Sequence, residues 1–99
     1  MANLSISEFR SAVSAIGSTL ASVLPQPAIT NQNVSIGGSS TASAAFNSKT
    51  YAVRLFTDTA CAIKFGDVGS TVATTDARMA ANTVEYFGVQ PGQIVSVIT

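Results

Sequence analysis

Two periodicities divide the chain. In the first part, Phe9, Val13, Ile16, Leu20 and Val23 recur at spacings that place them on one face of a helix. Ser5 and Glu8 stand in the S-x-x-E relation of a helix capping box. Serines, Thr19 and Gly17 are poor interior helix residues. The pattern therefore predicts a short helix near residues 5–16 or an extended arm, ordered by a partner surface in either case. Pro25-Gln26-Pro27 reads as an extended connector. It separates an arm and connector over residues 1–28 from a body over residues 29–99, and deletion of residues 1–24 is expected to leave that body folded. The early charges, Glu8 and Arg10, and the interrupting serines do not fit a secretory signal.

From Ile29 onward the period is two, the signature of strands with one buried face. Val34 and Ile36 alternate with polar neighbours, and Gly37-Gly38 follows as a turn. Ala42–Phe46 is a small-residue strand. Tyr51–Thr57 is the strongest strand, followed by Ala60–Phe65, in which Cys61, Ile63 and Phe65 share a face. Gly66–Gly69 supplies a turn. Thr71–Thr75 is another strand, 75–78 a loop, and Met79–Asn82 extended or a helical turn. Thr83–Val89 and Gln93–Ile98 complete the set, joined by Gln90-Pro91-Gly92-Gln93. Proline second and glycine third is a type II turn signature, which matches hairpin twist poorly. Seven or eight short strands with closely spaced turns predict an all-β fold: a small antiparallel β-sandwich, jelly-roll-like in one variant, or a small barrel.

Composition narrows the function. The 99 residues are 46% apolar and only 10% charged, with five basic and five acidic side chains. Five cations in a neutral chain make a poor nucleic-acid surface. A single cysteine and no histidine exclude a cysteine-rich zinc site and the usual Ser/His and Cys/His catalytic pairs. No apolar run is long enough for a membrane-spanning helix. Neutrality promotes association, so the chain reads as part of an assembly.

The individual candidates for chemistry are weak. Cys61 alternates with core residues and reads as a small buried hydrophobe. Glu8, Asp58, Asp67, Asp76 and Glu85 are far apart in sequence. Asp58, Asp67 and Asp76 each fall at a turn; they would gather a cation only if their loops shared one end of a sandwich, and turn aspartates more often bond their own backbone. Gly37-Gly38-Ser39-Ser40 lacks the Lys-Ser/Thr ending of a phosphate loop. Lys49, Arg54 and Lys64 could share a sheet face beside Tyr51 and Phe56, a weak cue for single-stranded nucleic acid. The stronger signal is apolar residues on both faces of one strand. Tyr86 and Phe87 must point opposite ways, as must Ile94 and Val95, so one face is a candidate subunit contact.

The string Arg78-Met79-Ala80-Ala81-Asn82-Thr83-Val84-Glu85-Tyr86-Phe87-Gly88-Val89, with Pro91-Gly92, resembles a set of small tailed-phage virion structural proteins. Val53-Arg54-Leu55, Asp58, Cys61, Lys64-Phe65-Gly66 and Ser43–Asn47 add to it, and Met1–Leu4 with Ile6-Ser7-Glu8 loosely so. Residues 41–99 carry the resemblance; 11–24 depart most. It implies a non-enzymatic virion component made in the host cytoplasm and located on the particle. The leading expectation is a capsid decoration (cement) protein that stabilises the head. Its partners would be the major capsid protein or other virion subunits and copies of itself, a trimer by analogy, with no cofactor, nucleic acid or membrane. A head–tail connector, neck or tail component is the alternative, and a glycan-binding sandwich a second one. Contact residues expected on this reading are Phe9, Val13, Ile16 and Leu20 on the arm, and Tyr86 or Phe87 on the body.

Overall fold

A computed structural model describes residues 2–10, 13–14, 22–23 and 27–99. Ten strands follow in chain order: β1 (Asn3–Phe9), β2 (Val13–Ser14), β3 (Ser22–Val23), β4 (Thr30–Ser35), β5 (Thr41–Ala42), β6 (Ala52–Thr57), β7 (Cys61–Gly66), β8 (Ala77–Met79), β9 (Thr83–Gly88) and β10 (Ile94–Ile98). Eight of them form two four-stranded antiparallel sheets, β4-β1-β6-β9 and β5-β10-β7-β8, packed as a sandwich; β2 pairs only with β3. No helix occurs among the described residues.

The pairing is nested. β7 pairs with β8, β6 with β9 and β5 with β10, as if one long hairpin had been rolled across two sheets. This is the pairing plan of a jelly roll. The outermost strand, β4, is paired by β1 from the beginning of the chain rather than by a strand following β10.

Strict alternation explains the core. Leu4 and Ile6 of β1, Val34 of β4, Val53 and Leu55 of β6, and Phe87 of β9 face inward from the first sheet. Cys61, Ile63, Met79, Val95 and Val97 meet them from the second. Phe46, Phe65 and Phe87 close one side, with ring centroids 6.4 and 5.0 Å apart in succession.

The expected helix or partner-ordered arm is corrected at its start. Asn3–Phe9 is an interior strand, hydrogen-bonded to β4 on one side and β6 on the other. Ser5 and Glu8 therefore cap nothing, and the segment is ordered by its own chain. The reason is an overlooked alternation: Leu4, Ile6 and Glu8 point inward while Asn3, Ser5 and Ser7 point outward. Deleting residues 1–24 would remove this strand from the middle of its sheet. Of the remaining stripe, Val13 pairs with Val23 in the β2–β3 ladder, and Ile16 and Leu20 lie outside the described residues.

Two other segments differ from the sequence reading. Beyond Ala42 the ladder continues irregularly: Ser43 N donates to Val95 O (2.9 Å), and Val95 N donates to Ser43 Oγ (3.1 Å) in place of a carbonyl. Thr71–Thr75 forms no strand, whereas Ala77–Met79 does. The turn at Gln90–Gln93 has the predicted form. Gly92 sits at φ +81°, and Gln93 N donates to Gln90 O, as type II geometry requires. It carries the chain from the first sheet to the second, so hairpin twist does not constrain it.

Candidate interaction face

The two sheets treat their outward surfaces differently. On the second sheet, register places Ala62, Ile94 and Ser96 on the outer side, yet all three are buried. The loop of residues 67–76 lies over them. Ser96 Oγ donates to Ser70 O at 2.9 Å, Val72 N donates to Ser40 Oγ at 3.1 Å, and the Val72 side chain is buried. Asp76 closes the loop, accepting from Ala73 N at 2.8 Å while its own N donates to Ala73 O. Gly66 permits the close approach, since a Cβ there would stand 2.6 Å from Ser70 Oγ.

The outer face of the first sheet is open over most of its area and falls into two halves. On β4 and β1 it is polar: Ser5 Oγ donates to Asn33 Oδ1 at 2.9 Å and Ser7 Oγ to Asn31 Oδ1 at 2.6 Å. These cross-strand pairs link β1 to β4 across the polar half of the face. On β6 and β9 it is apolar and aromatic. Phe56 stands opposite Val84, and Arg54 opposite Tyr86. Tyr86 is 63% exposed and Val84 39%. Arg54 is half-buried between Ser7 and Tyr86 and is the sole charged residue on this face. At one end, Phe9 and Ala52 are buried although they point outward, and neither belongs to the core between the sheets.

The expected contact residues therefore separate. Tyr86 is exposed on the open face, while Phe87 turns into the core against Phe65. Phe9 is only 3% exposed within the chain itself, so it offers no surface to a partner in this conformation. Ile94 and Val95 also point opposite ways, but both are covered, one by the loop and one by the core.

The remaining candidates resolve into structural roles. Cys61 is buried, with its thiol 3.6 Å from Thr57 Oγ1. The turn aspartates do not converge. Asp58 accepts from Asn3 N at 2.8 Å, Asp67 from Gln93 Nε2 at 3.3 Å, and Asp76 from its own loop. Among the described residues no three acidic or cysteine side chains gather. Lys49, Arg54 and Lys64 do not share a face: Lys49 lies in the turn after Asn47, Arg54 on the first sheet, and Lys64 on the outer side of the second.

One feature escaped the sequence reading. Glu8 is 1% exposed on the inner side of β1. Its carboxyl oxygens accept from Thr50 Oγ1 (2.8 Å), Asn47 N (2.9 Å) and Gln32 Nε2 (3.0 Å). Gln32 in turn accepts from Ala44 N at 2.9 Å. The cluster ties the crossover from β5 to β6 onto the first sheet, and no buried side-chain polar atom is left unpartnered among the described residues. Only a Glu at an inward position of an alternating strand could have signalled it.

No protein-family model, curated protein or solved structure matches this chain. The geometry is that of an all-β sandwich with one sheet face roofed by its own loop and the other, among the described residues, largely open.

Proposed function

We propose that this chain is a non-enzymatic structural subunit of a tailed-phage particle, a capsid decoration protein whose open sheet face is buried against neighbouring virion subunits. The observation that carries the reading is the asymmetry of the sandwich: one face is roofed, and the other presents Tyr86, Val84, Phe56 and Arg54 on a hydrogen-bonded strand frame. A sheet face of this kind is ordered before contact, so docking spends little on backbone ordering. Stable interfaces bury about 1,200–2,000 Å² in total. At roughly 25 cal/mol per Å² of apolar area, that burial must exceed the cost of lost motion. Repetition over a closed shell then multiplies a modest contact. The low charge and the resemblance of residues 41–99 to small phage virion proteins support the same reading.

Purified particles test it directly. Quantitative mass spectrometry should find hundreds of copies, and a cryo-EM map should place the sandwich on the head. A copy number of one small ring would move the protein to the neck or tail, and absence from the particle would sink the proposal. Tyr86→Ser combined with Phe56→Ser should fold yet fail to incorporate.

A further inference from the structure

The open face has one charge and no counter-charge. Among the described residues no hydrogen bond or ion pair engages the Arg54 guanidinium, and no carboxylate points outward from β4, β1, β6 or β9. Two copies meeting face to face about a twofold axis would therefore bury two arginines with no carboxylate on either face to pair them.

A complementary element lies on the far side of the sandwich. The loop that roofs the second sheet begins with Asp67 and Val68. Val68 is 72% exposed, the most exposed of the large apolar side chains among the described residues. It stands at the tip of a closed turn: Ser70 N donates to Asp67 O at 3.0 Å, and Gly69 adopts φ +99°. The turn is therefore already closed by its own hydrogen bond before any contact. Asp67 is exposed beside it, with Oδ1 held by Gln93 Nε2 and Oδ2 without a partner among the described residues. Of the other carboxylates, Asp58 and Asp76 are committed to backbone amides, Glu8 is buried, and Glu85, although exposed, stands on the side of its own sheet opposite to Arg54 and Tyr86, away from the Val68 turn.

We infer that the open face binds the Asp67–Val68 turn of a second copy, head to tail. Val68 packs against Tyr86 and Phe56, and Asp67 meets Arg54. The inference rests on the reading of the open face as a subunit contact and names its occupant. The same residues repeat at every junction, so the contact propagates into a ring where the rotation closes and a filament where it does not. The chain's zero net charge removes bulk repulsion between copies.

The test is charge reversal with rescue, read by sedimentation velocity and light scattering over a concentration series. Wild-type protein should self-associate. Arg54→Glu and Asp67→Arg should each weaken association by about tenfold or more, because each sets like charges against one another. The double variant, R54E with D67R, should recover association. Val68→Ser should weaken it without changing charge, and Glu85→Gln should leave it unchanged. Thermal melts of every variant confirm that the fold is retained. A wild type that stays monomeric, single variants that assemble like wild type, or a double variant that does not recover would each overturn the inference. Monomeric protein that is nonetheless found on particles refutes this contact and keeps the virion reading. Self-association of a protein absent from particles does the reverse.

Discussion

Glu8 offers the most informative perturbation of the fold. Its carboxyl group receives three donors: the fully buried Thr50 hydroxyl and the partly buried Asn47 and Gln32 amides. Removing the acceptor while leaving a donor buried costs about 1–3 kcal/mol per donor. The Thr50 hydroxyl belongs near the top of that range, and the other two, with water within reach, near about 1 kcal/mol each. Glu8→Ala should therefore lose about 3–5 kcal/mol. That is a large part of the roughly 5–15 kcal/mol that holds a domain of this size. With a urea slope of about 1–3 kcal/mol per molar, the midpoint should fall by roughly 2 M. Glu8→Met restores bulk but no acceptor, and should remain within about 1 kcal/mol of the alanine variant. Glu8→Gln keeps one oxygen for Thr50 and Asn47 but sets an amide donor against Gln32 Nε2. It should cost about 1–2 kcal/mol. Equilibrium urea unfolding followed by circular dichroism gives all three values. An alanine or methionine variant within about 1 kcal/mol of wild type would refute the idea that this hydrogen-bonded cluster, rather than apolar packing, secures the crossover from β5 to β6.

Further outcomes follow from single positions. Gly66→Ala puts a methyl group 2.6 Å from Ser70 Oγ and 3.1 Å from Ser70 Cβ; the hydroxyl can rotate away but Cβ must shift, which should cost about 1 kcal/mol and raise amide exchange at Ser70–Val72. Gly92→Ala forces a side chain into φ +81°; thermal melting should register a loss of about 1–2 kcal/mol. Leu55→Ala, at a core position with no exposed surface, should lose about 2–5 kcal/mol in urea unfolding. Tyr86→Ser should leave stability within about 0.5 kcal/mol while weakening self-association, since its ring is mostly in water until a partner covers it.

Much of the sandwich was legible in local pattern. β6, β7, β9 and β10 each stand out as a short run of apolar, aromatic and β-branched residues bounded by turn residues. Pro91-Gly92 encodes its own turn because proline fixes one φ and glycine permits the next. The division of Tyr86 and Phe87 between two faces also follows from the pleat alone. β1 was not legible in the same way. Its Leu4-Ile6-Glu8 alternation is short, ends in a charged residue, and overlaps a helical spacing that begins at Phe9. The backbone partners that decide the matter, β4 and β6, are distant in sequence, so no local rule could weigh them.

The sequence by itself determined the all-β class, the main strands, the buried thiol and the presence of apolar character on second faces. These depend on periodicity and on the chemistry of single residues. Tertiary structure decided which second face is covered. Ile94 and Tyr86 have the same outward placement by alternation, but the 67–76 loop folds back over Ile94 and nothing described covers Tyr86. It also turned Glu8 from the expected helix-capping residue into a buried acceptor. Both outcomes depend on long-range closure of the chain, where the free energy of a contact belongs to two segments at once and is carried by neither alone.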